Sequence, residues 1–149
     1  MINYILEQFK KLTSIPSPSG FTSKVADYTL NVFAEMGYKA FLTKKGCVAV
    51  DLGGEGNPIV LAAHIDTLGG MVAEIKGSGR LRLTGVGGLQ PNNVEAENCF
   101  VHTRFGKIYE GCMQLANASA HVNGEYSKAP RNFDGMEVLL DEKADSKAD

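Results

Sequence analysis

The run Ile59-Val60-Leu61-Ala62-Ala63 constrains the fold more than any other stretch, because it is apolar without interruption. A strand with one wet face alternates polar and apolar residues; one that does not alternate needs cover on both faces, as central strands of a layered α/β sheet do. The run follows a turn cluster, Gly53-Gly54-Glu55-Gly56-Asn57-Pro58. It is far shorter than the roughly 18 apolar residues that would cross a membrane. It ends in His64-Ile65-Asp66, and open α/β sheets collect ligands at the carboxyl ends of their strands.

Upstream, Ile2, Ile5, Leu6, Phe9 and Leu12 fall at helical spacing, so residues 2–14 are expected to form an amphipathic helix that Pro16 and Pro18 stop. After the tight Pro16-Ser-Pro-Ser-Gly20 connection, Thr22 or Ser23 can cap a second helix with Val25, Tyr28, Val32 and Met36 on one face. Gly37 suits its left-handed stop. The period then changes. Residues 40–43 and 47–52 are short and β-prone, and Lys45-Gly46 between them predicts a hairpin. Residues 1–68 therefore read as two helices packed on the opening strands of an α/β domain.

Beyond Asp66 turns dominate. Gly77-Ser78-Gly79 joins the alternating segments 71–76 and 80–84, and Gly106 joins 99–104 to 107–115. Two hairpins with almost no helical signal predict an antiparallel β module over residues 69–149, closed by a strand at 136–140. The last stretch, Asp141 to Asp149, is charged and has no cap or apolar partner in the sequence. It reads either as an interrupted chain or as a solvated tail.

Composition narrows the function. With 15 basic and 17 acidic residues and no basic cluster longer than Lys10-Lys11 or Lys44-Lys45, nothing invites nucleic acid or an anionic membrane. The first residues lack a basic segment followed by an apolar one, so no export signal is read there. Cys47, Cys99 and Cys112 are odd in number and far apart, which suits reduced thiols and a cytoplasmic protein better than a disulfide framework.

The chemistry concentrates at His64 and Asp66. In extended chain, residues two apart project to the same side. A neutral imidazole is a common zinc ligand, and a neighbouring carboxylate can orient the ring or bind metal itself. By itself H-x-D is a weak pattern, since a single histidine in a strand is usually structural, and a catalytic metal wants three or more protein ligands. His102, in the segment 99–104 on the face of Phe100 and Arg104, and His121, in a loop, read as structural or solvent-facing. Asp134 and Asp141, near the last strand, read the same way. No Gly-x-Ser-x-Gly elbow occurs, and Gly85-Val86-Gly87-Gly88 is neither a Walker loop nor a dinucleotide turn.

The ordered set Pro16-Ser-Pro-Ser-Gly20, Ala63-His64-Ile65-Asp66-Thr67-Leu68-Gly69-Gly70-Met71-Val72, Gly79-Arg80-Leu81 and Gly87-Gly88 resembles the M42 family of aminopeptidases (glutamyl and tetrahedral aminopeptidases) over nearly the whole chain. Glu97-Asn98-Cys99, the segment 103–107 and the segment 118–122 resemble a bacterial branch of it. The resemblance implies an α/β class fold: the amino-terminal part of a binuclear metallopeptidase α/β sandwich, then a β-rich inserted domain used in oligomerisation. It implies His64 as a metal ligand and Asp66 as the catalytic-site residue that steadies its ring. Many relatives carry glutamate where this chain has Thr67, a mild departure.

The implied cofactors are two divalent metal ions, zinc or cobalt. The implied partners are peptide substrates and further copies of the chain. In the implied reaction, a water activated between two metal ions loses its proton to a carboxylate and attacks the amino-terminal peptide carbonyl. The bridging aspartate, the glutamate base and the other ligands follow the insert in the family, so this chain is expected to be inactive alone. Two rivals remain: an M20-like metallo-amidohydrolase (deacylase), which also opens its site with H-x-D, and a non-catalytic assembly module built on exposed strand edges.

Overall fold

A computed structural model describes all 149 residues. The chain divides into two compact units, Met1–Gly69 and Gly70–Asp149.

The first unit opens with α1 (Ile2–Ser14) and α2 (Ser23–Glu35). Helix α1 stops because Pro16 disfavours helical geometry in the residue before it: Ile15 is extended, with φ −88° and ψ 115°. Helix α2 stops at Gly37, whose φ of 86° only glycine adopts without cost. There the Gly37 amide donates to Ala34 at 2.9 Å and the Tyr38 amide to Phe33 at 2.9 Å, which satisfies the last carbonyls. Val25 and Ala26 on α2 are buried, and α2 packs on the antiparallel hairpin β1 (Ala40–Leu42) and β2 (Val48–Val50). Tyr28 ties α2 to α1 by donating its hydroxyl to Gln8 Oε1 at 2.6 Å. The apolar stripe of α1 (Ile2, Ile5, Leu6, Phe9) stays exposed.

One expectation fails. Residues 59–63 form no strand, and Ile59, Val60 and Leu61 are each 87% exposed. The reason is topological: the only strands of this unit that form a ladder, β1 and β2, pair with each other, so nothing lies beside the run or covers its faces.

The second unit holds a five-stranded sheet in the order β3-β4-β7-β6-β5, built from β3 (Gly69–Ile75), β4 (Leu81–Val86), β5 (Asn98–His102), β6 (Ile108–Leu115) and β7 (Met136–Leu140). The expected glycine turns close both hairpins, and the last strand fills the gap between them. The registers Met113↔Val138, Leu115↔Met136 and Leu81↔Val138 align the buried residues on one face. Val94, Tyr126, Ala129 and Phe133 cover that face. Arg131 fastens the cover: it donates to Glu95 at 2.8 Å and to the carbonyls of Tyr126 and Ala129, each at 2.8 Å, and its guanidinium lies 4.9 Å from the Tyr126 ring centre.

On the opposite face Phe100, Ile108 and Leu139 are exposed, and His102 shares their side, as the alternation predicted. The strand carrying His102 ends there, because Thr103 and Lys107 close the turn. Within the charged end the Asp149 carboxylate accepts from the amides of Asp145 (3.0 Å) and Ser146 (2.9 Å). All three cysteines are free, and burial pushes the Cys99 thiol above its usual range. No helix is long and apolar enough to cross a membrane.

Candidate functional site

The loop between α1 and α2 and the segment 64–69 are stitched together within the first unit. Pro18 and Thr67 form a parallel bridge, and the Thr67 amide donates to the Ser17 carbonyl at 2.8 Å. Ser17 is fully buried and donates its hydroxyl to the Ile65 carbonyl at 3.3 Å. Gly69 sits against Pro18 so closely that a Cβ there would come within 2.7 Å of the proline Cβ. The loop turns at Gly20 (φ 88°), where the Phe21 amide closes on the Pro18 carbonyl at 2.7 Å.

This scaffold carries a short hydrogen-bonded chain. Ser19 donates its hydroxyl to Asp66 Oδ2 at 2.6 Å, and the other carboxylate oxygen, Oδ1, lies 3.2 Å from His64 Nδ1. The Asp66 backbone carbonyl is also 3.2 Å from that nitrogen. Two acceptors at Nδ1 favour the tautomer with hydrogen there, which leaves the lone pair on Nε2. Nε2 makes no hydrogen bond and the His64 side chain is 86% exposed, so one imidazole donor is available to a metal ion. The Ser19 hydroxyl, with a smaller contribution from His64, holds the Asp66 carboxyl below the ordinary carboxylate range.

The other sequence candidates lie elsewhere. His102 is half-buried in β5, His121 is exposed on a loop, Asp134 lies 3.7 Å from Arg82 on the surface, and the Asp141 backbone is tied to Glu110. No three histidine, cysteine, aspartate or glutamate side chains gather into a metal-binding group. The first unit has two shallow hollows of about 300 and 170 Å³, and neither is lined by His64 or Asp66. The pair stands in the open. Ser17, Ser19 and Thr67 were missed as partners of the motif; the alternation of serine and proline in 16–19 is the only trace they leave in the sequence.

Two helices, a small hairpin and then an antiparallel five-stranded module are the arrangement found in part of the fold of solved aminopeptidases. An aminopeptidase from the archaeon Desulfurococcus kamchatkensis matches with a TM-score of 0.79 at 28% identity, over 95% of this chain and 38% of that one. The TET1 peptidase of Pyrococcus horikoshii, which can assemble into a tetrahedron or a large octahedral shell, matches with a TM-score of 0.77 at 25% identity, over 96% of this chain and 42% of that one. The Bacillus subtilis (strain 168) protein YhfE, provisionally named an aminopeptidase, is 38% identical over 146 residues, which is 97% of this chain and 42% of that protein.

The chain belongs to the M42 glutamyl aminopeptidase family, whose model matches residues 46–149. It spans about two-fifths of the length of these relatives.

Proposed function

We propose that these 149 residues supply one corner of a two-metal aminopeptidase site, with His64 as a metal ligand through Nε2 and Asp66 as the residue that orients its ring. The observation that carries this is the 3.2 Å approach of Asp66 Oδ1 to His64 Nδ1, with Nε2 left free. A carboxylate on the far nitrogen fixes the tautomer and raises the basicity of the donor, as carboxylate–histidine–metal arrangements require. Two divalent ions, zinc or cobalt, would supply an activated water and a Lewis acid for the peptide carbonyl. No three candidate ligands gather among these residues, so on this reading the remaining ligands and the general base come from elsewhere.

The substrates are peptides with a free amino terminus, by the family's named activity. The site forms within an assembly of several copies, a reading supported by the shells of the TET1 peptidase and by the exposed Phe100, Ile108 and Leu139 on one sheet face. Three free thiols fit a cytoplasmic location.

A chimera in which this chain replaces the matching part of a full-length relative is expected to cleave aminoacyl anilides and not N-acyl amino acids, which separates it from a deacylase. His64→Ala in the chimera lowers kcat/KM by about a hundredfold or more, as loss of a ligand does. The isolated chain with added zinc, cobalt or manganese shows no turnover. Hydrolysis by the isolated chain that His64→Ala abolishes would refute the division of the site.

A further inference from the structure

We propose that Ser19 is a positioning residue for the metal-binding histidine: its hydroxyl fixes the Asp66 carboxylate so that Asp66 holds His64 with hydrogen on Nδ1 and the lone pair on Nε2. This rests on the reading of His64 as a ligand and deepens it, because it says what holds the holder.

The geometry carries the inference. The contacts between Asp66 and the imidazole are 3.2 Å, the long edge of a hydrogen bond, and Asp66 is 38% exposed. A carboxylate in that setting would rotate about its own side-chain bonds if nothing else held it. The Ser19 bond to the other oxygen is 2.6 Å, the length of a charge-assisted O–H···O⁻ bond, and is the shorter and stronger of the two restraints.

Ser19 is itself well anchored. It lies in the turn between Pro18, bridged to Thr67, and Gly20, and the Phe21 amide closes that turn at 2.7 Å. Buried Ser17 docks the same loop two residues earlier. The hydroxyl is therefore presented from a stiff support, so the direction of the Asp66 carboxylate is set from the loop side and passed on to the ring.

The test is nitrogen NMR of the imidazoles in the intact chain, without metal, at a pH high enough that the ring nitrogen signals no longer move with pH. The chain has three histidines, and His64→Gln identifies the His64 signals. His121, exposed and without a hydrogen-bond partner, gives the free-ring reference in the same spectrum. Wild-type His64 is expected to favour the Nδ1–H tautomer relative to His121. Ser19→Ala lowers that tautomer ratio by roughly threefold or more, the scale of one hydrogen bond. Ser19→Thr, which keeps the hydroxyl, retains the wild-type ratio.

A biased His64 ratio unchanged by Ser19→Ala overturns the role of Ser19 alone. An equal shift in Ser19→Thr also overturns it, since loss of the hydroxyl would then not be the cause. A wild-type ratio matching His121 refutes the Asp66–His64 pairing on which both readings stand.

Discussion

Thr67 and Ser17, fifty residues apart in sequence, meet twice: the Thr67 amide donates to the Ser17 carbonyl at 2.8 Å, and their hydroxyls lie 3.3 Å apart. This double contact places the segment carrying His64 and Asp66 against the loop carrying Ser19. Thr67 thus closes a small polar cluster around a buried serine.

Ser17→Ala is expected to destabilise the chain by about 1 kcal/mol, because it leaves the Ile65 carbonyl without its hydroxyl donor. Thr67→Val costs a similar amount, and the double variant costs less than the sum, since the two hydroxyls serve one cluster. Urea titrations of the four proteins check this. Strict additivity would mean that the 3.3 Å contact carries no energy.

Glu137 in β7 is 3% exposed and receives Lys76 Nζ at 2.8 Å and the guanidinium of Arg80. Burial pushes its carboxyl up, but the hydrogen bonds from Lys76 and Arg80 outweigh this, and the net displacement is downward. A folded value below the unfolded one means that this ion pair adds stability above roughly pH 4.3, and that the contribution is lost as pH falls through the folded value. Glu137→Gln should flatten the acid side of the stability curve, and at neutral pH it should cost about 3 kcal/mol, typical of a buried pair losing one partner. Thermal melts from about pH 3 to about pH 7 span this window and read both effects; parallel curves for the two proteins would exclude Glu137 as the acid-sensitive group.

Local chemistry made most of the elements legible. Pro16 and Gly37 end the two helices where their backbone limits require, and the turns at Gly46, Gly79 and Gly106, with φ of 78°, 76° and 82°, set the hairpins. The run 59–63 was legible in character and not in state. Its composition says that it belongs between two layers, but a strand is made by its neighbours, and none lies beside it here. The site was half legible: the spacing of His64 and Asp66 predicted their contact, whereas the Ser19 hydroxyl, brought in from 47 residues away, leaves no periodic signal.

Gly85 lies under the ring of Phe133, where a Cβ would come within 2.7 Å of Phe133 Cε2. Gly85→Ala must therefore shift a ring that covers the core of the β module, at a cost of about 1–3 kcal/mol, the usual range for overpacking. Phe133→Leu shortens the obstructing group, so Gly85→Ala should cost less in that background. Chemical denaturation of the two single variants and the double variant reads the coupling. An undiminished cost in the Phe133→Leu background would place the clash in the backbone.

The exposed Ile59, Val60 and Leu61 leave an apolar strand-former in water, as the α1 residues Ile5 and Phe9 of the same unit also are. Each apolar side chain forgoes the roughly 1.5–3 kcal/mol that full burial would yield, so association that covers the run is favoured by mass action. The melting temperature should thus rise with protein concentration, and sedimentation should show reversible association. Val60→Lys should suppress both while changing the stability of the dilute monomer by no more than about 0.5 kcal/mol, because the replaced side chain packs against nothing. A monomer that melts at the same temperature across roughly a hundredfold range of concentration would show that the run is tolerated in water as it stands.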